Sequence, residues 1–213
     1  MTLVRLLVSS ALVTALTLGN SPRVGAAEVE TSAAAYTVNQ AASSIGFTIS
    51  GSKMFFKFKR DGLFKNFNGE LSYDPARPAN AHVDLTVYTA SVDMHDAENN
   101  ELLKSGEFFD VDHFPTMHFT NSATAVRGDG TLEMTGDMTI RGVTRKMTIP
   151  VKLRQDSQTA QLSGAVFETT FPIDRTEFGL NGNSAMGGFS LKISKSVQIH
   201  MEIATAPQTA RNR

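Results

Sequence analysis

The sequence predicts an all-β domain of about eight antiparallel strands with one or two short helices. The first observation is a period of two. In residues 44–50, the apolar Ile45, Phe47 and Ile49 alternate with small or polar residues, which is typical of a half-buried strand. The second is that Gly, Asn and Asp recur between such segments, as in the Gly-Asp-Gly turn at residues 128–130. Many strands with little helix indicate either a sandwich or a closed barrel.

The same alternation continues along most of the chain. Phe56 and Phe58 alternate with lysines, and further alternating segments lie at residues 82–88, 117–123, 132–140, 147–153, 162–173 and 191–203. Periodicity alone does not distinguish a sandwich from a barrel. A closed barrel would remove the exposed edges that such Phe-rich strands otherwise offer to aggregation.

Two segments have a helical pattern. A helix is predicted over residues 97–104, since Asp96 can cap its start and a glycine lies just beyond its end. Leu102 and Leu103 would be its buried contacts. A second, weaker pattern lies at residues 61–67, where three apolar residues would share one helical face.

The first 27 residues have the composition of a secretory signal peptide. Arg5 is the only charged residue among the first 22, and it precedes an apolar run at residues 6–18. That run is too short to span a bilayer as a helix, which needs about 20 residues. Small residues follow, so cleavage after Ala26 or Ala27 is expected. We therefore expect a periplasmic protein without a stable membrane anchor after cleavage; an uncleaved anchor helix is the alternative.

The remaining chain is predicted to form one domain. Residues 28–35 form a polar linker, residues 36–205 the domain, and residues 206–213 a polar tail. With 20 Lys and Arg against 21 Asp and Glu, the net charge is −1, so we expect no binding to nucleic acid. Cysteine is absent, and a domain of this size needs no disulfides. A homodimer stays an open alternative.

Four segments carry motifs in a fixed order. They are GLFKNFNGELSYD at residues 62–74, LKSGEFFDV with FPTMHF within residues 103–119, GDMTIRGVT at residues 136–144, and RTEFGL at residues 175–180. Together they resemble the YceI-like family, known as polyisoprenoid-binding proteins with a lipocalin-like barrel, over residues 36–205. The resemblance implies an eight-stranded antiparallel lipocalin-like barrel around a tunnel that holds a long lipid.

Two features of the family are missing from this chain. Members often carry a His-Ser pair near the start of the domain, where this chain has Ser43 and Ser44 without a histidine. Members also often carry Arg-Asp-x-His before the second motif, where this chain has Asn-Asn-Glu-Leu at residues 99–102. Both changes remove polar side chains, so the preference for a lipid head group stays open.

Composition and resemblance favour different interiors. From the 14 Phe and 9 Met alone, we would expect a packed core without a cavity. The resemblance instead implies that the chain binds a long-chain apolar lipid, such as a polyisoprenoid or an isoprenoid quinone, as an exported carrier, buffer or sensor. The residues expected to line the tunnel are Ile45, Phe47, Ile49, Phe56, Phe58, Phe64, Phe67, Val83, Leu85, Leu102, Phe108, Phe109, Phe119 and Phe178. The basic residues expected to contact a head group are Arg141, Arg145, Arg175 and Lys192.

Catalytic and metal sites are weakly supported. Ser184 lies in a Gly-rich segment without the G-x-S-x-G pattern of a hydrolase, and we expect neither an enzyme nor a cofactor. Carboxylates and histidines cluster at residues 93–98 and 110–118, but without a defined ligand spacing. We therefore predict no metal, with Asp93, His95 and Glu98 facing solvent. The rival function is a solid-core structural or interaction barrel of the cell envelope.

Overall fold

The computed structural model describes residues 34–53, 55–154, 164–182 and 191–207. The predicted signal peptide, most of the linker and most of the polar tail lie outside these ranges. In chain order, the strands and the helix are β1 (Ala34–Val38), β2 (Ser44–Lys53), β3 (Phe56–Phe64), β4 (Phe67–Tyr73), β5 (His82–Tyr88), β6 (Val92–Asp93), α1 (Ala97–Lys104), β7 (Thr116–Val126), β8 (Leu132–Ile140), β9 (Val143–Arg154), β10 (Val166–Asp174), β11 (Leu191–Ile193) and β12 (Ser196–Pro207).

The strands close into an eight-stranded antiparallel barrel, as predicted. β1 and β2 are two parts of one strand, which a short 3-10 turn at Gln40–Ala42 interrupts, and β3 and β4 likewise follow each other as one broken strand. From there the pairing passes through β5, β7, β8, β9 and β10 to β12. β12 pairs with β2 along residues 198–202 and with β1 along residues 205–207, which closes the ring. The barrel is therefore the correct one of the two predicted architectures.

One half of the barrel interior is filled by packed side chains. Leu132 and Met134 of β8 and Ile149 of β9 are each only 2% exposed. The rings of Tyr73 and Phe167 meet edge to face, with their centroids 5.5 Å apart. Burying one side chain of this size contributes about 1.5–3 kcal/mol. This end of the barrel, called the filled half below, therefore stabilises the fold without a ligand.

Helix α1 begins and ends where the sequence predicts. A side-chain oxygen of Asp96 accepts a hydrogen bond of 2.9 Å from the backbone N–H of Asn99, which caps the first turn. Leu103 is buried, and Leu102 packs against the core from a half-buried position. In the part of the chain that the structure describes, no helix combines the length and the apolar character needed to cross a bilayer.

The second helix, predicted at residues 61–67, is wrong. This segment contains the end of β3 and the start of β4, with Lys65 and Asn66 between them. Phe64 and Phe67 are both buried, because the two-residue break resets the alternation of the strand. Their spacing of three therefore imitates one turn of a helix.

Candidate functional site

The other half of the barrel encloses an apolar cavity. Its volume is about 420 Å³, and its wall includes residues of β2, β3, β5, β7, β8, β10, β11 and β12, of α1, and of the segments that follow α1 and β10. Pockets of about 300–1,000 Å³ are typical of sites for small organic ligands. The interior is therefore neither fully packed nor an open tunnel along its whole length.

Most of the predicted lining residues lie on the cavity wall. They are Ile45, Phe47, Ile49, Phe56, Phe58, Phe64, Leu85, Leu102, Phe108, Phe109 and Phe119. Aromatic contacts order this wall, since the ring centroid of Phe64 lies 5.5 Å from that of Phe47 and 5.6 Å from that of Phe109. Phe109 follows α1, so these contacts join the helical cover to β3. Whether these residues bind lipid stays a prediction.

Phe67, Val83 and Phe178 do not line the cavity, which corrects the prediction for these three residues. Val83 and Leu85 share one face of β5, but only Leu85 lies on the cavity wall. Val83 pairs with Leu71 of β4, and Leu71 is buried in the core away from that wall. Phe178 is 1% exposed and packs in the core after β10. The period of two shows which side of a strand faces inward. It does not show how far along the barrel a side chain lies.

Sequence reasoning missed the part of the wall contributed by the last strands. The missed apolar residues include Met138, Ile140, Phe171, Ile173, Val197, Ile199 and Met201. All of them lie in segments whose alternation is visible in the sequence. The sequence does not show the register between the strands, and it is this register that places these residues of β8, β10 and β12 at the same end of the barrel as Phe47.

Arg175 is the one predicted basic residue that reaches the cavity wall. It is only 5% exposed, yet its guanidinium has no carboxylate partner among the ion pairs of the described residues. Instead it donates to the backbone carbonyls of Ser194 (2.9 Å), Ile193 (3.3 Å) and Leu180. Burial lowers the pKa of Arg175 below its usual value, and the nearby charge of Asp174 opposes that shift.

The guanidinium of Arg175 retains hydrogen-bonding capacity. It carries five N–H groups, and three hydrogen bonds to protein acceptors are present within the described ranges. A buried cation with unused donors is costly unless a further acceptor satisfies it. Arg175 can therefore donate a hydrogen bond to a polar group of a ligand at the cavity wall.

The other three basic residues predicted to contact a head group lie elsewhere. Arg141 donates to the carbonyls of Gly179 and Gly106, both at 2.6 Å, so it ties two loops to the β8–β9 turn. Arg145 reaches the carbonyl of Thr144 on the barrel surface. Lys192 is exposed, because its neighbour Ile193 occupies the inward position of β11. None of the three is on the cavity wall.

Asp93 does not face solvent, which corrects the prediction for this residue. It is 9% exposed and lies 2.5 Å from the ammonium of Lys65. It also accepts hydrogen bonds from the backbone N–H of His95 (2.8 Å) and the side-chain amide of Asn100 (3.1 Å). Lys65 and these donors lower the pKa of the Asp93 carboxyl far below its usual range. Asp93 thus fastens α1, which covers the cavity, to the bend between β3 and β4.

Two further histidines each lie beside a single carboxylate. His113 lies 2.8 Å from Asp110, and this carboxylate raises the pKa of the His113 ring. His118 lies 3.0 Å from Asp84 of the neighbouring strand. Within the described ranges, no three such side chains come together in a group that could hold a metal ion.

We expect Asp93→Asn to destabilise the protein at neutral pH, because a neutral amide cannot pair with Lys65. A carboxyl whose pKa is lowered by folding stabilises the native state above its unfolded pKa, about 3.9, and loses that effect as the pH falls. The melting temperatures of variant and parent should therefore differ at pH 7, and the difference should shrink progressively as the pH falls below about 4 toward the much lower pKa of the folded state. The control is Glu98→Gln in the exposed first turn of α1; equal melting at pH 7 for parent and Asp93→Asn would contradict this role.

Comparison with known sequences shows which proteins this chain is similar to. Residues 36–205 match the YceI-like domain. A UPF0312 protein of Vibrio vulnificus strain YJ016 is 30% identical over 168 residues, which cover 78% of this chain and 84% of that protein. A UPF0312 protein of Shewanella baltica strain OS185 is 31% identical over 157 residues, which cover 72% of this chain and 81% of that protein.

Solved structures share the fold. The crystal structure of BcnA from Burkholderia cenocepacia has a TM-score of 0.66 and 26% identity, covering 78% of this chain and 98% of that chain. A polyisoprenoid binding domain from Saccharophagus degradans, implicated in plant cell wall breakdown, has a TM-score of 0.64 and 14% identity, covering 82% and 99% of the two chains. The eight-stranded barrel and the match over residues 36–205 show that this chain belongs to the YceI-like family.

Proposed function

We propose that this protein binds one long-chain apolar lipid, a polyisoprenoid, an isoprenoid quinone or a similar amphiphile, and carries, buffers or senses it in the periplasm. The observation that carries the proposal is the apolar cavity of about 420 Å³ with the buried Arg175 in its wall. The likeness to the polyisoprenoid binding domain of Saccharophagus degradans supports it at the level of the fold. Export by a cleaved leader is part of the proposal and rests on residues 1–27 of the sequence.

The physical basis of binding is burial of hydrocarbon. Each buried methylene contributes about 0.8 kcal/mol, while ordering a flexible chain takes back part of this gain. The wall offers few polar partners: Arg60, Asn99, His118 and Arg175 are the polar residues on it in the described part of the chain. Selectivity should therefore follow the length and shape of the chain first and the head group second.

The size of the cavity sets a limit on length. A pocket of this volume encloses a ligand of drug-like size, and the filled half closes the barrel behind it. A short prenyl chain would be enclosed completely, whereas a chain of tens of carbons would extend through the mouth. Affinity should therefore rise with chain length and then level off.

The test is to isolate the protein from the cell envelope, extract it with organic solvent and identify bound lipid by mass spectrometry. We expect one apolar lipid per barrel and a mature N-terminus near Ala27 or Glu28. Prenyl alcohols of increasing length should raise the melting temperature of the delipidated protein, since a ligand that binds only the folded state stabilises it. An empty protein whose melting temperature none of these lipids changes would instead favour a structural or interaction barrel of the cell envelope without a bound lipid.

A further inference from the structure

The end of the β2–β3 hairpin exposes aromatic side chains to solvent. Phe55 is 94% exposed and Phe56 is 79% exposed. Among the residues that the structure describes, the other large apolar side chains with notable exposure are Tyr88 and Val126, at 41% and 44%. A protein rarely leaves neighbouring phenylalanines in water without a function, and exposed apolar patches mark sites of interaction. This end of the hairpin is called the hairpin tip below, and it comprises Phe55, Phe56 and Lys57.

Three lysines lie at or near the hairpin tip. Lys57 and Lys59 alternate with Phe56 and Phe58 along β3, so they lie on the outer face of the barrel, and both are exposed. Lys192 of β11 is paired with Ser52 of β2, which is paired with Lys57. The three lysines therefore lie in one region. In the part of the chain that the structure describes, none of them takes part in an ion pair, although the whole chain has a net charge of only −1.

The hairpin tip is continuous with the cavity. Phe56, Phe58 and Arg60 all lie on the cavity wall, although Phe56 is itself largely exposed. One edge of β3 pairs with β2. On the other edge, within the described ranges, only Leu63 and Phe64 are paired, and their partner is β6. The mouth of the cavity therefore opens beside the hairpin tip.

We propose that the hairpin tip docks on an anionic lipid bilayer, with Phe55 inserted among the acyl chains and Lys57, Lys59 and Lys192 against the phosphates. Aromatic side chains flanked by lysines are the combination that binds the interface of anionic membranes, because apolar burial and electrostatic attraction act together. Docking in this orientation places the cavity mouth against the bilayer. A lipid could then pass between membrane and cavity without crossing water.

Docking rests on surface residues and requires no lipid in the cavity, so it can be tested apart from the proposed function. The chain contains no tryptophan, so Phe55→Trp introduces a single fluorescent reporter at the hairpin tip. The matched control is Val126→Trp, another exposed apolar position, at the end of β7 where the strand pairs with Leu132 of the filled half. Both variants are prepared as the mature protein and mixed with vesicles of phosphatidylglycerol and phosphatidylethanolamine, or of phosphatidylcholine alone.

We expect the fluorescence of Phe55→Trp to shift to shorter wavelength with the anionic vesicles, less so with phosphatidylcholine, and not at all in Val126→Trp. Added salt should weaken the interaction, because it screens exposed charges. The double variant Lys57→Glu, Lys59→Glu should bind the anionic vesicles at least roughly tenfold more weakly. Phe55→Ser should no longer sediment with the vesicles, yet keep the lipid content of the parent protein.

Three results would overturn docking: no shift with anionic vesicles, an equal shift in both tryptophan variants, or a shift that grows with protein concentration in the absence of vesicles. The last would assign the hairpin tip to contact between two copies of the chain. A protein that carries lipid but does not bind vesicles refutes docking alone. A protein that binds vesicles but is isolated empty refutes the proposed cavity function alone.

Discussion

Met138→Trp is expected to reduce the affinity for long-chain apolar lipid at least tenfold while the barrel remains folded. Met138 lies on β8, half-buried, with its side chain on the cavity wall. The larger indole would occupy space that a lipid chain needs. Because the side chain already borders a cavity, we expect a packing cost of about 1–3 kcal/mol at most. Mass spectrometry of extracted lipid and urea unfolding measure the two effects separately.

The adjacent residue provides the matched control. Thr139 alternates with Met138 on β8, and its hydroxyl bonds to that of Thr144 on the outer face of the barrel. Thr139→Trp adds the same side chain outside the barrel and should leave lipid binding unchanged. Equal lipid content in the parent and in a folded Met138→Trp variant would show that the cavity is not where the lipid is held.

Arg175→Leu is expected to lower the free energy of unfolding by about 3 kcal/mol or more, since each buried polar group left without a partner costs about 1–3 kcal/mol. The carbonyls of Leu180, Ile193 and Ser194 would all lose their donor. These carbonyls belong to segments on both sides of residues 183–190, so one side chain holds both segments at the barrel rim. Urea unfolding of the lipid-free protein is the measurement.

Arg175→Lys distinguishes the contribution of the positive charge to stability from that of the guanidinium geometry. Lysine keeps the positive charge but lacks the planar fork that reaches several acceptors at fixed angles, so we expect stability between those of the parent and Arg175→Leu. If Arg175→Leu instead unfolds like the parent and loses only its preference for anionic lipids, Arg175 acts through the head group and not through the fold.

Local signals in the sequence were sufficient for several elements. Asp96 and the residues of α1 predicted the helix bounds, because a capping carboxylate acts within its own turn. The same kind of local reasoning failed at Phe64 and Phe67. There, the break between β3 and β4 placed both rings inside the barrel at a spacing typical of a helix.

For the candidate site, the sequence predicts which side chains face the barrel interior, but not where along the barrel axis each of them lies. Alternation correctly identified Phe47 and Leu85 as inward-facing, and it also identified Val83, which lies away from the cavity wall. Height along the barrel depends on the register between strands, which arises from pairings distant in sequence. The predicted solvent exposure of Asp93 is wrong for a related reason, since its partner Lys65 lies 28 positions earlier in the chain.

Because the barrel is divided into a filled half and a cavity, natural selection can act on ligand binding and on stability through different residues. Met134 and Met138 lie four residues apart on the same face of β8, yet one is packed in the core and the other borders the cavity. Substitutions near Met138 can alter the cargo while the packing around Met134 keeps the chain folded. A lineage could therefore exchange one lipid for another through viable intermediates, and an engineer could reshape the cavity without first stabilising the scaffold.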